Sequence, residues 1–380
     1  MELAFTDEQQ RLRRKVRDFA ANRIVPIVPV MEETDEFPRE LVKELGKEGL
    51  MGLPVPEEWG GAGRDMMSYT LAVEELSRAS AAVGVIVSVH TSVASMPLFY
   101  YGTTEQKKLY LPRLAAGELL GAFALTEPHA GSDAAAIRTS AERKGDYYIL
   151  NGSKSFITNA GEADLYIVFA VSKALEAGKG ITAFIVEKNT PGFRSGKKEK
   201  KMGLHGSNTC ELVFDEARVP AEMRLGREGQ GFDIAKSALD GGRIGIGAQA
   251  LGIARAALEQ AELWVGSRYA PNRRRLAAAS ITDMAARVEA AGLLVYRAAD
   301  RLRSGLTCRK EASMAKLLAS DTAMYVTTRA LQLIGGDGWA GGHPLERLFR
   351  DAKVTQIYEG TNQIHRIVIS NELMKGGGDS

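Results

Sequence analysis

Apolar positions along the first third of the chain recur at helical spacing. In "TDEQQRLRRKVRDFAANRIVP", Leu12, Val16, Phe19 and Ile24 share one face, and Thr6 with Gln9 three residues on reads as a capping box. Pro26 is expected to end this run. The same start signal returns at Thr103 and Gln106, and "MMSYTLAVEELSRAS" reads as a further helix. Near Gly121 the period changes. "DYYILNGSKSFIT" shows two short β-prone runs around Asn151-Gly152, which predicts a hairpin turn. "ADLYIVFAVS", "GITAFIVEK" and "TCELVFDEARVP" follow without helices between them, so an antiparallel barrel or sandwich is expected. From about Gly231 the helical period returns in long Ala-rich segments suited to a bundle. Gly335, Gly336 and Gly338 are expected to stop the last of these, and the tail "KGGGDS" is expected to be mobile. The expected fold class is α+β and mainly helical, with a helical domain at 1–120, an antiparallel β-domain at 121–226 and a helical bundle at 227–380.

With 380 residues the chain is long for a single core. Its formal net charge of +2, from 49 basic and 47 acidic side chains, gives no electrostatic reason to expect nucleic acid or an acidic membrane as partner. The two cysteines, Cys210 and Cys308, form no CxxC pair, so no metal or redox motif is expected. A disulfide stays open, but reduced thiols are the simpler reading. "MELAFTDEQQ" shows no signal peptide, and the apolar stretch Ala81 to Val89 is too short to span a bilayer.

Candidate chemistry is scattered. Gly245, Gly247 and Ala250 match a dinucleotide-binding GxGxxA, but the pattern is helical on both sides, which favours close helix packing. Near the C-terminus, "IYEGTNQIHR" places a carboxylate where a loop enters a helix. Glu359 there is either a solvated loop charge or a base held against a substrate.

The segments "FALTEPHAGSD", "NGSKSFITN", "LDGGRIGIGAQALG", "QLIGGDGW" and "IYEGTNQIHR" occur in this order. On them, the chain closely resembles the acyl-CoA dehydrogenase family from about Thr6 to Leu373. The resemblance implies a helical domain, a β-domain and a C-terminal four-helix bundle. It further implies bound FAD, a homotetramer, and oxidation of acyl-CoA to 2-enoyl-CoA in fatty acid β-oxidation. Electrons would pass to electron-transferring flavoprotein. Glu359 would be the base removing the α-proton, the β-hydride would go to flavin N5, and the Glu359 N–H with a flavin ribityl hydroxyl would hold the thioester oxygen. Partial desolvation raises a carboxylate pKa toward the working pH, which suits that task. Gly360 would let the backbone approach the substrate. Some members carry the base at the position of Gly242, where a glycine has no such chemistry. The short-chain and short branched-chain members share this arrangement.

By the same resemblance, Phe123, Leu125 and Thr126 would contact the isoalloxazine edge, and Ser132 both flavin and CoA. Phe156, Ile157 and Thr158 would cover the flavin ring, with Phe156 standing where many relatives have Trp. From the sequence alone Phe156 and Ile157 are ordinary strand residues. Glu127, His129 and Asp133 read as loop charges. Asp240 and Arg243 match residues near the CoA arm or the base, or are a helix-surface ion pair. Gln332, Gly335 and Gly336 would reach the flavin of a neighbouring subunit, and Thr361 and Gln363 its adenosine portion.

One segment departs from the family. After Arg268, relatives carry Phe-Gly, two residues, Leu, two residues, Phe-Gln, against the flavin pyrophosphate and adenine. Here "SRYAPNRRRLAAASITDM" lacks both pairs and is about four residues shorter. Arg268 remains. Arg273, Arg274 and Arg275 are either replacement phosphate donors or a solvated turn. The expected activity is dehydrogenation of a short or short branched-chain acyl-CoA. An acyl-CoA oxidase, or an acyl-CoA-binding protein with weakened FAD affinity, are the alternatives. "SAAVGVIVSVHTSV" has no arginine to hold a distal carboxylate, which disfavours a dicarboxylyl substrate. The expected location is the bacterial cytoplasm; a processed mitochondrial matrix form would look similar.

Overall fold

The computed structural model describes residues 4–172 and 180–375, apart from the side chains of Arg273 and Leu276. The tail segment 376–380 lies outside the described residues. Helices fill the first part: α1 (Asp7–Phe19), α2 (Val28–Thr34), α3 (Arg39–Lys47), α4 (Met66–Ala79), α5 (Ala81–Ser88), α6 (Met96–Tyr101) and α7 (Thr104–Ala115). Both capping boxes form. Gln9 N donates to Thr6 Oγ1 at 3.2 Å while Thr6 N donates to Gln9 Oε1 at 3.0 Å, and Thr103 and Gln106 repeat the pattern. Pro26 does not end the first run. The chain passes it through a π turn (Ala20–Ile24) and a 3-10 turn (Val25–Ile27), where Pro26 sits near the start and needs no donor, and continues into α2.

A π turn, Val89–Ser95, also joins α5 to α6. The resulting helical segment Ala81–Tyr101 is 21 residues, long and apolar enough to cross a membrane, and 94% of its apolar window is buried inside the protein. The apolar run is thus longer than Ala81 to Val89, and burial in the core accounts for it. His90 in this turn accepts from Gly121 N at Nδ1 (3.0 Å), and its Nε2 is 3.1 Å from the Leu114 carbonyl. It stitches the helices to the sheet.

The sheet comprises β1 (Gly121–Ala124), β2 (Ser140–Lys144), β3 (Tyr147–Thr158), β4 (Leu165–Ser172), β5 (Ile181–Glu187), β6 (Phe193–Lys198), β7 (Thr209–Pro220) and β8 (Arg224–Leu225). Its order is β6-β7-β3-β2-β4-β5-β8, with β1 beside β4. It is not wholly antiparallel, because β1 and β2 each run parallel to β4. The expected hairpin at Asn151-Gly152 is absent. That pair lies inside β3, at a register shift against β7. Gly152 has φ 143° there, and a Cβ would stand 2.7 Å from Thr139 Oγ1, so the glycine serves a bulge with close backbone approach. The tight turn falls instead at Gly145-Asp146, between the paired Lys144 and Tyr147.

The last part holds α8 (Gly231–Arg268), α9 (Pro271–Arg303), α10 (Arg309–Ile334), α11 (Gly336–Trp339), α12 (Pro344–Val354) and α13 (Asn362–Lys375). α10 packs against α8, α9, α12 and α13, and α4 packs against α8. Gly335, with φ 72°, ends α10, whereas Gly336 and Gly338 lie in the following short helix. Gly245, Gly247 and Ala250 sit within α8. A Cβ on Gly245 would stand 2.3 Å from Ser88 Oγ, so these small residues let helices approach closely. Cys210 and Cys308 are free and buried.

Candidate active site

A cavity of about 320 Å³ opens where α8, the Glu359 loop and the sheet meet. Val89 and Val93 reach it from the π turn, and Phe123, Leu125 and Thr126 from the end of β1. Ser132, Phe156, Ile157, Thr158, Arg243, Glu359 and Gly360 also line it. Fold topology thus gathers most of the residues singled out in the sequence, over more than two hundred positions of chain.

Glu359 has φ 54° and Gly360 φ 96°, so the backbone enters the left-handed region twice in succession. The residue as a whole is half-buried, but its Oε2 is shielded from solvent and has no hydrogen-bond partner. Burial raises its pKa to about 7, against the lowering influence of the Arg243 and Lys316 charges. A solvated loop charge would look different on each count. Opposite it stands Gly242, where a Cβ would lie 2.6 Å from Glu359 Oε2.

Arg243, on α8 beside that glycine, is buried and donates to Asp240 Oδ1 at 2.9 Å. The pair is not on the helix surface: the two side chains are only 10% and 17% exposed. Burial raises the Asp240 pKa and lowers that of Arg243. Asp240 itself does not line the cavity.

The sheet side is built on a bulge. The β3–β7 register shifts between Lys154 and Ile157, and Phe156 takes φ 57° and is 67% exposed. It is therefore no ordinary strand residue. A non-glycine residue in that conformation marks strain held by its surroundings, typical of functional sites. Ser155 N donates to the Thr126 carbonyl at 2.9 Å, which pins the two segments together. Glu127 is not a solvated loop charge either. It is buried and pairs with the buried Lys154 at 2.7 Å. It also accepts from the backbone of Arg138 (2.6 Å) and Thr139 (2.9 Å), closing the loop that carries Ser132. His129 approaches it at 3.6 Å, and Asp133 is exposed at the cavity rim.

Other expected residues lie elsewhere. Arg268, Gln332, Gly335 and Gly336 are exposed at one end of the bundle, away from the cavity. They are near one another, because Tyr269 Oη donates to the Leu333 carbonyl at 2.6 Å. Arg268 rests over the Trp264 ring. Arg274 is exposed and caps the end of α8 by donating to the Tyr269 (2.8 Å) and Gly266 (2.5 Å) carbonyls, so its guanidinium is already engaged. Arg275 is exposed, and the Arg273 side chain lies outside the described set. Thr361 and Gln363 do not line the cavity; Thr361 Oγ1 accepts from Ile364 N at the start of α13.

Sequence reasoning missed Lys316, His365 and Tyr358, all packed about the Glu359 turn. Lys316 shares a buried face of α10 with Ala312, Ala315 and Ala319, and a lysine within such an apolar stripe was the readable signal. Tyr358 Oη donates to Gln249 Oε1 of α8.

Three consecutive family profiles match the chain: "Acyl-CoA dehydrogenase, N-terminal domain" at residues 6–118, "middle domain" at 122–217 and "C-terminal domain" at 229–374. The chain belongs to the acyl-CoA dehydrogenase family. It is an oxidoreductase of that family, and an acyl-CoA dehydrogenase of Bacillus subtilis is 58% identical over 375 residues, 98% of this chain and 99% of that protein. Among solved structures, butyryl-CoA dehydrogenase from Megasphaera elsdenii superposes with a TM-score of 0.95 at 45% identity, covering 98% of this chain and 100% of that one. A chain from a study of the electron transferring flavoprotein of Acidaminococcus fermentans gives 0.96 at 47% identity, covering 99% and 100%. An acyl-CoA dehydrogenase complexed with FAD from Bacillus anthracis gives 0.92 at 35% identity, covering 98% and 68%.

Proposed function

We propose that this acyl-CoA dehydrogenase oxidises short-chain acyl-CoA thioesters to the 2-enoyl-CoA, with FAD as cofactor and Glu359 as the base. The observation that carries the reading is the Glu359 carboxylate, its Oε2 unpartnered and shielded, and its pKa raised to about 7 beside the cavity. The residues present fit a planar ring system: an exposed Phe156 held out by a bulge, beside Leu125, Thr126 and Thr158. FAD, when bound, supplies the acceptor for the β-hydride. Glu359 takes the α-proton, and Arg243 and Lys316 favour the ionised form that can accept it. Among the described residues the Glu359 N–H has no hydrogen-bond partner, so it is available to the thioester oxygen as charge develops there. Val89 and Val93 give the acyl end an apolar wall, which suits a short hydrocarbon chain and no distal carboxylate. Electron-transferring flavoprotein is the natural acceptor, supported by the Acidaminococcus relative. The exposed Leu263, Trp339, Ile367 and Met374 are the kind of surface that a homotetramer covers.

An anaerobic titration of the purified protein with butyryl-CoA, followed by visible absorption, tests this. The oxidised-flavin bands are expected to bleach in the wild type and to persist in Glu359→Gln. Isobutyryl-CoA in parallel decides branching. Bands that never bleach with any short thioester would overturn the activity, and rapid reoxidation by air would turn the reading to an oxidase.

A further inference from the structure

Lys316 is fully buried on α10, yet among the described residues no carboxylate lies within ion-pair distance of it. Its ammonium donates instead to the Gly360 carbonyl at 2.7 Å and to Asn362 Oδ1 at 3.0 Å. One and slightly more than one turn along, Ser320 and Asp321 receive the Asn362 amide at 3.0 and 2.7 Å. Asp321 also accepts from Gln356 Nε2 at 2.6 Å. One face of α10 therefore grips the chain on both sides of Glu359, at 356 and at 360–362. The gripped turn is the one whose two residues stand at φ 54° and 96°. Such a conformation persists only when its surroundings over-determine it.

We propose that Lys316 is a positioning residue for the base: through the Gly360 carbonyl and Asn362 it holds the Glu359 turn in its left-handed form, and its charge favours the ionised Glu359 carboxylate. The proposal rests on the reading of Glu359 as the base. The charged and titratable groups around the pair are few. Arg243 faces them from α8, Asp321 from α10, His365 from α13, Tyr69 from α4 and Tyr358 from the loop itself. Burial leaves His365 neutral, with a pKa of about 3, and both phenols protonated, Tyr69 at about 12. Arg243 and Lys316 are then the cations acting on Glu359, and Arg243 is already engaged by Asp240. Lys316 has its own pKa lowered to about 7 by burial, with Glu359 the leading influence against that fall. The two groups therefore titrate as a coupled pair in the neutral range.

The test is the pH dependence of flavin reduction by butyryl-CoA in the holoenzyme, for wild type, Lys316→Met, Lys316→Gln and Glu359→Gln. Pre-steady-state rates between pH 5 and 9 give the profile. Infrared pH-difference spectra, with Glu359→Gln subtracted, report the carboxylate without turnover. Loss of the charge is expected to move the acid limb and the carboxylate midpoint upward by about one unit in both lysine variants. Loss of the grip is expected to lower the limiting rate of Lys316→Met by roughly 10- to 100-fold. Lys316→Gln, which can still donate to the Gly360 carbonyl, should lose less. Midpoints that stay at the wild-type pH in both variants would overturn the proposal, whatever happens to stability. Should Lys316→Met not fold, Lys316→Gln decides by the same readout. If Glu359→Gln reduces its flavin at the wild-type rate, the base reading itself fails, a result separate from unmoved midpoints in the lysine variants.

Discussion

A Cβ built on Gly242 would stand 2.6 Å from Oε2 of Glu359 and 3.0 Å from its Cδ. The carboxylate occupies the space that any side chain on this turn of α8 would fill. Two residues more than a hundred positions apart are thus constrained together: a carboxylate reaching in from the C-terminal loop requires a glycine on the opposing helix.

Gly242→Ala is therefore expected to displace the Glu359 carboxylate and lower the rate of flavin reduction by butyryl-CoA on the order of 100-fold. Stability should fall by about 1–3 kcal/mol from overpacking against Glu359 and Val93. Gly266, in the same helix, has open space around its Cβ position. Gly266→Ala should leave the rate unchanged and raise stability by about 0.5–1 kcal/mol, read from urea unfolding.

Glu359 makes stability depend on pH. Its folded-state pKa of about 7 lies above the ordinary value of 4.5. The stability tied to the protonated carboxyl is then fully present below pH 4.5 and lost as pH rises through 7. Glu359→Gln removes that loss. The variant should match the wild type near pH 4.5 and exceed it by roughly 1–3 kcal/mol at pH 8. Thermal melts of the substrate-free protein across this range check it; equal differences at both pH values would contradict it.

The buried Lys154–Glu127 pair offers a second probe. Burial alone would raise the Glu127 pKa, but the Lys154 charge and hydrogen bonds from Lys154, Thr139 and Arg138 hold it below the usual carboxylate value. A depressed carboxylate stabilises above its unfolded pKa and loses that contribution as pH falls through the folded one. Lys154→Met strands the carboxylate and should destabilise by about 3–5 kcal/mol at pH 7, less at pH 4, in urea unfolding. Because the pair closes the loop carrying Ser132, the variant should also retain less FAD through gel filtration, measured by absorbance ratio.

Gly152 tests the bulge. With φ 143° and Thr139 Cα 2.8 Å from a Cβ position, Gly152→Ala should lose about 1–3 kcal/mol or more in urea unfolding. A loss near zero would mean that β3 can relax there.

The helix starts were legible because capping is local: Thr6 with Gln9 and Thr103 with Gln106 need nothing beyond their own turn. Asn151-Gly152 misled for the converse reason. The dipeptide suits a turn, but pairing of β3 with β7 along its length outweighs a local preference, and the glycine is used against Thr139. The π turn at Val89–Ser95 left no mark in the pattern, since apolar spacing differs little between α and π windings over one turn.

By itself the sequence determined the order of helices, strands and bundle, and its ordered motifs singled out residues, Glu359 among them, that line one cavity. Hydrophobic period and capping are properties of neighbours, so one chain carries them openly. Only the tertiary structure decided that Gly242 clears room for Glu359, that Glu127 is a buried partner of Lys154, and that Lys316 holds the Glu359 turn from α10. Those facts depend on distance and desolvation between segments far apart in sequence. A lysine in an alanine-rich helix or a glutamate in a loop takes its meaning from what folding places beside it.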